Sequence, residues 1–90
     1  MTRYQLDPVA TTARLTAAIR AGESLRSDRL VDDPLAARLA GEEGRALLVH
    51  VQAGDAIPVR TRHFDDLIAA VIEAGVRQVV LVAAGMDTRA

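Results

Sequence analysis

Gly85 and Asp87 stand two apart in the run VRQVVLVAAGMDTRA, residues 76–90, where successive apolar residues give way to a glycine turn. A glycine in such a turn lets a ligand approach the backbone closely, because no Cβ intervenes. In open α/β sheets ligands lie beyond the carboxyl ends of the strands, which is the place this turn would occupy. The pattern also has a plain reading, since Gly and Asp are ordinary turn residues. Neither the G-x-G-x-x-G fingerprint nor the lysine-bearing phosphate loop occurs in the chain.

A second cluster, Arg60, Arg62, Asp65 and Asp66, lies in VRTRHFDDLI. A guanidinium fork matches a carboxylate in a two-bond geometry. Arg62 and Asp66 also have the four-residue spacing at which side chains pair along a helix surface. Asp65 and Asp66 are expected in the first turns of a helix, where acids complement its dipole. Asp32 and Asp33, just before Pro34, read as helix caps. His50 and His63 stand singly, without metal-ligand spacing, and read as surface or packing residues. Met86 reads as a packing residue.

Helices must position these groups. TTARLTAAIRAG predicts one, with Thr11 or Thr12 as cap, Leu15 and Ile19 on a shared buried face and Gly22 as the stop. The first ten residues read as an arm, and ESLRSDRLV as polar and irregular with room for one more helical turn. DDPLAARLAG predicts a helix with Pro34 in its first position, Leu35 and Leu39 on its apolar edge and Gly41 at its end. EEGRALLVHVQAG fits both periods and is read as helix. The longest helix is VRTRHFDDLIAAVIEAG, where Phe64, Leu67, Ile68, Val71 and Ile72 repeat at helical spacing and Gly75 is the stop. Val79, Val80, Leu81 and Val82 are apolar in succession, as in a strand covered on both faces of a parallel sheet. Such a strand cannot stand without neighbours, because its backbone groups would lack partners.

Composition narrows the class. The chain has 90 residues, half of them hydrophobic, and Tyr4 and Phe64 are its only aromatics. Its core must therefore be built from small aliphatics, in a domain that buries only about 60% of its unfolded surface. The net charge is −1, from 11 basic residues, all arginine, and 12 acidic ones. They form no basic stripe, which argues against a nucleic-acid partner. Cysteine is absent, which excludes disulfides and thiolate metal sites and fits a cytoplasmic protein. MTRYQLDPVA has no apolar signal core, and the run from Val79 to Gly85 is too short to span a membrane.

Taken together, TARLTAAIRAGES, DDPLAARL, RTRHFDDLI and GVRQVVLVAAGMDTRA resemble the leucine carboxyl methyltransferase-like family, in its actinobacterial S-adenosylmethionine-dependent branch. The resemblance runs from about Thr12 to Ala90 and covers the opening portion of the family's length. It implies an α/β fold, with an N-terminal helical cap region over residues 1–58. Residues 59–90 would then begin a class I methyltransferase Rossmann-like domain, with Val79–Val82 as its first strand. It implies S-adenosyl-L-methionine as cofactor. VAAGMDT looks like the family's first cofactor motif, the loop against the methionine part of that molecule. Ala83 and Gly85 would present backbone there and Asp87 would shape the turn; many relatives carry glycine where Ala83 stands. Arg60 matches a family arginine that pairs with the cofactor's carboxylate. The implied reaction is O-methylation of a carboxylate or hydroxyl on a small molecule or peptide end.

The family's ribose-holding acid, adenine contacts and acceptor pocket fall beyond Ala90, so no catalytic residue is assigned. The 90-residue chain alone is expected to be inactive, as a truncated methyltransferase or a fragment of one. Two other readings stand beside this one. A helical interaction module would expose Val79–Val82 as an edge for another chain. A nicotinamide-dependent oxidoreductase fragment would need the missing G-x-G-x-x-G.

Overall fold

A computed structural model of the chain describes residues 8–51 and 56–89. Three helices are present, α1 (Pro8–Ser24), α2 (Ala36–Leu48) and α3 (Ala56–Glu73). Pro8 suits the first position of α1, where a missing N–H costs nothing. Residues 1–7 of the expected arm lie outside the described residues, but residues 8–10 are helical, so Thr11 and Thr12 are interior and not caps. Gly22 does not end α1 either. Ser24 Oγ donates to the Arg20 carbonyl at 2.8 Å and Leu25 N–H to that of Gly22 at 3.2 Å, which satisfies exposed carbonyls and carries the helix two residues further.

The polar loop that follows is tied down by one buried acid. Glu23 is 5% exposed, and its carboxylate accepts from Arg26 Nη1 at 3.2 Å and from the Leu30 N–H at 2.8 Å. Asp33 then accepts from the Leu35 N–H at 3.1 Å, but this bond closes the turn before the helix, so neither Asp32 nor Asp33 is the cap: the N-cap of α2 is Leu35, without a side-chain bond. Regular helix begins only at Ala36, after a turn through Pro34 and Leu35. Gly41 interrupts α2 as a kink with non-helical backbone, and the helix resumes to Leu48, through the segment that fitted both periods.

α1 packs against α2, and the contact is made of small residues. Ala17, Ala18, Ala36 and Ala40 are buried, and Leu39, Leu48 and Met86 cover part of this cluster. Leu15 and Ile19 are only half-buried and Leu35 is exposed, so the apolar edge read from the leucines is displaced onto alanines. The reason is close approach. A Cβ built on Gly44 would stand 2.4 Å from the Arg14 carbonyl oxygen, so the two backbones nearly touch there.

α3 is the longest helix and meets α1 only lightly. It ends in a paired cap in which Gly75 N–H bonds the Ile72 carbonyl and Val76 N–H that of Val71, both at 3.0 Å. Gly75 has φ +110°, a conformation that side chains resist, so the predicted stop holds for a specific reason. The stripe of Phe64, Leu67 and Ile72 is exposed, contrary to its expected burial. Asp65 and Asp66 lie well inside α3 rather than in its first turn, so the dipole reading fails because the helix begins at Ala56.

The expected strand is not formed. Among the described residues there is no strand, and Val79–Val82 are exposed. Among the described residues no second segment pairs with them in a ladder, and an unpaired strand lacks its hydrogen bonds. The accessible surface is 6973 Å². A closed domain of this mass exposes about 5,100 Å². Among the described residues no helix is long and apolar enough to cross a membrane.

Candidate functional site

A cleft of about 710 Å³ opens between the middle of α1, residues 31–33, the first half of α3 and the terminal turn at residues 83–89. Thr12, Ala13, Thr16 and Arg20 line it from α1, and Ile57, Arg60, Thr61, Phe64 and Asp65 from α3. The volume lies within the range of small-molecule sites, about 300–1,000 Å³. All four residues singled out from the sequence, Arg60, Ala83, Gly85 and Asp87, border this one space. Arg62 does not. It pairs with Asp66 at 3.0 Å along the helix surface and donates to the Leu30 carbonyl at 3.1 Å. His50 and His63 are exposed, His63 standing edge-on to Phe64.

The terminal turn is built on left-handed backbone. Ala83 has φ +53° and Gly85 φ +58°, and Asp87 N–H closes the turn on the Ala84 carbonyl at 3.1 Å. Gly85 also runs close to α1, where an added Cβ would stand 3.2 Å from that of Ala13. Two clamps fix the turn. On one side Arg20 Nη2 donates to the Met86 carbonyl at 2.6 Å and Arg20 Nε to Asp33 at 3.2 Å, while Thr88 Oγ1 donates to the same Asp33 oxygen at 2.8 Å. On the other, Arg89 pairs with Asp87, with Asp65 at 2.7 Å and with the Thr61 carbonyl at 3.3 Å.

These bonds sort the charges in the cleft. Arg20 and Arg89 are neutralised by Asp33, Asp65 and Asp87. Burial pushes the Asp33 carboxyl up, but the bonds from Thr88, Arg20 and the Leu35 N–H, with the Arg20 charge, hold it below its ordinary value. Asp32 faces Arg29 at 3.8 Å. Arg60 is exposed at the cleft, and among the described residues its side chain has no hydrogen-bond or ion-pair partner. The arrangement offers one free guanidinium across from a backbone turn, suited to a ligand carrying one carboxylate.

Arg20, Asp33, Thr88 and Arg89 are site residues that the sequence reading missed. Asp33 does not cap α2, whose N-cap is Leu35 without a side-chain bond; one of its oxygens accepts from the Leu35 N–H in the turn before the helix and the other reaches the terminal turn. Residues 55 and 66 apart leave no periodic signal to read. The nearest hint was the Asp87–Thr88–Arg89 triplet, whose polar side chains directly follow the glycine turn.

The leucine carboxyl methyltransferase family matches residues 13–90. Among curated proteins the chain is similar to several that carry the name "putative S-adenosyl-L-methionine-dependent methyltransferase". One from Parafrankia sp. is 51% identical over 94 residues, covering 91% of this chain and 30% of that protein. One from Saccharopolyspora erythraea is 41% identical over 92 residues, covering 91% of this chain and 32% of that protein. One from Mycobacterium ulcerans is 40% identical over 97 residues, with 91% and 32% covered. The chain thus spans about a third of the length of the curated relatives it matches. No solved structure matches it.

Proposed function

The chain belongs to the leucine carboxyl methyltransferase family, and from that premise we propose that its cleft is part of the S-adenosyl-L-methionine site of a methyltransferase. The observation that carries the reading is Arg60, a guanidinium without a protein partner among the described residues, bordering the same cleft as the Gly85 turn. The residues fit the methionine end of that cofactor. Arg60 would take its carboxylate in two parallel bonds. Ala83 and Gly85 would present backbone, unobstructed at Gly85 because it carries no side chain. Asp87 is held by Arg89, so its part is to shape the turn rather than to bind. Ile57, Phe64 and Met86 supply apolar wall that keeps water from the bound group.

When bound, S-adenosylmethionine supplies an electrophilic methyl group on a sulfonium sulfur. The acceptor proposed is a carboxylate or hydroxyl of a small molecule or peptide end. A carboxylate acceptor has no proton to lose, so no residue of the cleft is assigned as a base. In this reading Val79–Val82 becomes the first strand of a Rossmann-like sheet once neighbouring strands pair with it, with residues 1–58 as cap region and 59–90 as the opening of the cofactor domain. The 90 residues alone would bind the cofactor weakly and transfer no methyl group.

The reading is tested by titrating S-adenosylmethionine into the isotope-labelled chain and following its amide resonances. The expected result is saturable shifts at Gly85 and Asp87, with a Kd above about 100 μM, corresponding to less than about 5.5 kcal/mol. Arg60→Ala should weaken binding about tenfold or more, since bonds to a charged group contribute about 1.5–3 kcal/mol. Shifts absent from the turn would overturn the site, and unchanged binding by Arg60→Ala would overturn the arginine's role. Micromolar affinity would show that these 90 residues suffice for tight binding.

The exposure of Val80 at 75% and Val82 at 87% favours a second reading, a non-catalytic helical module that offers this segment to another chain.

A further inference from the structure

We propose that Arg20 is a positioning residue for the cofactor-facing turn, acting through the Met86 carbonyl, with Asp33 and Thr88 as its anchor; this rests on the cofactor reading above. Arg20 is on α1 and makes no part of the sequence motif that the turn belongs to. Its side chain is 11% exposed and that of Asp33 10%, so the pair forms a largely buried part of the cleft wall, engaged with the turn rather than with solvent. One guanidinium serves both partners: Nη2 holds the Met86 carbonyl at 2.6 Å while Nε holds Asp33 at 3.2 Å. Asp33 in turn holds Thr88 Oγ1 at 2.8 Å. The turn is therefore gripped at Met86 and at Thr88, on either side of Asp87, by two side chains that are already bonded to each other.

The grip has a definite task. Ala83 adopts φ +53°, a conformation that a residue with a Cβ resists by roughly 1–2 kcal/mol. A turn containing it persists only when its surroundings over-determine it. Charge-assisted bonds to the main chain at Met86 and to the side chain at Thr88 supply that constraint from α1 and from the turn before α2. The backbone of residues 83–85 at the cleft is thereby held in one arrangement before a ligand arrives, which lowers the ordering cost of binding. Arg89, within the turn, ties it to α3 through Asp65 and the Thr61 carbonyl and bonds Asp87 beside it, leaving the Met86 carbonyl to Arg20.

The test uses the full 90-residue chain and two variants. Arg20→Met with Asp33→Asn removes both charges together, so neither is left buried and unpaired. Thr88→Val keeps the ion pair and removes only its bond to the turn. Amide hydrogen exchange is read at Asp87, whose N–H bonds the Ala84 carbonyl, and at Ala17, Ala18 and Ala40 as a control for the α1–α2 pair. In the double variant exchange at Asp87 should accelerate at least tenfold while the control amides stay within about twofold; Thr88→Val should move Asp87 in the same direction by less. The affinity for S-adenosylmethionine should fall about tenfold in the double variant. Unchanged protection at Asp87, or equal acceleration at all four amides, would overturn the positioning role. Were the unaltered chain to show no cofactor shifts, the cofactor reading would fail on its own, and the exchange comparison would still decide whether Arg20 holds the turn.

Discussion

Asp33 is bonded to Arg20, to Thr88 and to the Leu35 N–H, so its charge joins α1, the start of α2 and the terminal turn. Its carboxyl is held below its ordinary value in the folded chain. A carboxyl of depressed pKa contributes stability that is complete above its unfolded value of about 3.9 and is lost as pH falls through the folded one. Thermal unfolding followed from pH 6 down to pH 2 should therefore show a loss of Tm below about pH 4 that Asp33→Asn lacks. Equal acid sensitivity in the variant would mean that other carboxylates govern the acid limb. At this scale the sequence was legible where chemistry is local. Gly85 and Asp87 were found because a turn reads from neighbouring residues, and Arg62 with Asp66 because helix spacing is fixed. Arg20 was not, because its two partners lie 13 and 66 residues away. The part Asp33 plays at the terminal turn was hidden because its place before Pro34 reads as a helix cap, a role that Leu35 holds instead.

Helices were legible through their ends and their small residues, and strands were not. Gly75 stops α3 by a conformation that glycine alone adopts freely, whereas Gly22 has ordinary backbone and helix continues past it. The two-way reading of EEGRALLV resolved to helix because α1 offers it a surface to pack on. Gly44 marks a close approach of α1 and α2, with the Arg14 carbonyl oxygen 2.4 Å from the position of a missing Cβ. Gly44→Ala should gain roughly 1 kcal/mol of helix propensity. It should lose up to about 3 kcal/mol to overpacking against backbone that cannot rotate away. The net loss of about 2 kcal/mol corresponds to a Tm lower by roughly 10 °C in a chain of this size. Gly22→Ala is the matched comparison, with nothing within 4 Å of its added Cβ, and it should raise Tm slightly. Equal effects of the two changes would mean that the α1–α2 contact is looser than the structure shows. Val79–Val82 reads as a strand from composition, but a ladder is a property of two segments and one segment cannot supply it.

For the molecule as a whole, the excess of accessible surface is apolar where it matters. Phe64, Leu67 and Ile72 on α3 and Val79, Val80 and Val82 beyond it are all exposed, while the buried apolar residues are four alanines and Val31 among the described residues. Exposed apolar side chains in such number promote association. Sedimentation velocity should show species larger than the monomer that grow with concentration, and Val80→Asp with Val82→Asp should return the chain to monomer. A concentration-independent monomer would count against an association surface, and with it the interaction-module reading. The grip of Arg20 on Met86 also has a bearing on time. Bringing together residues 66 apart costs about 4 kcal/mol of chain entropy, whereas the α1–α2 pair closes a far shorter loop. Local contacts form first and distant ones late. The helix pair should then assemble while the turn still wanders, so the last event of folding is the one that completes the cleft, and a ribosome must deliver residue 88 before α1 can hold it.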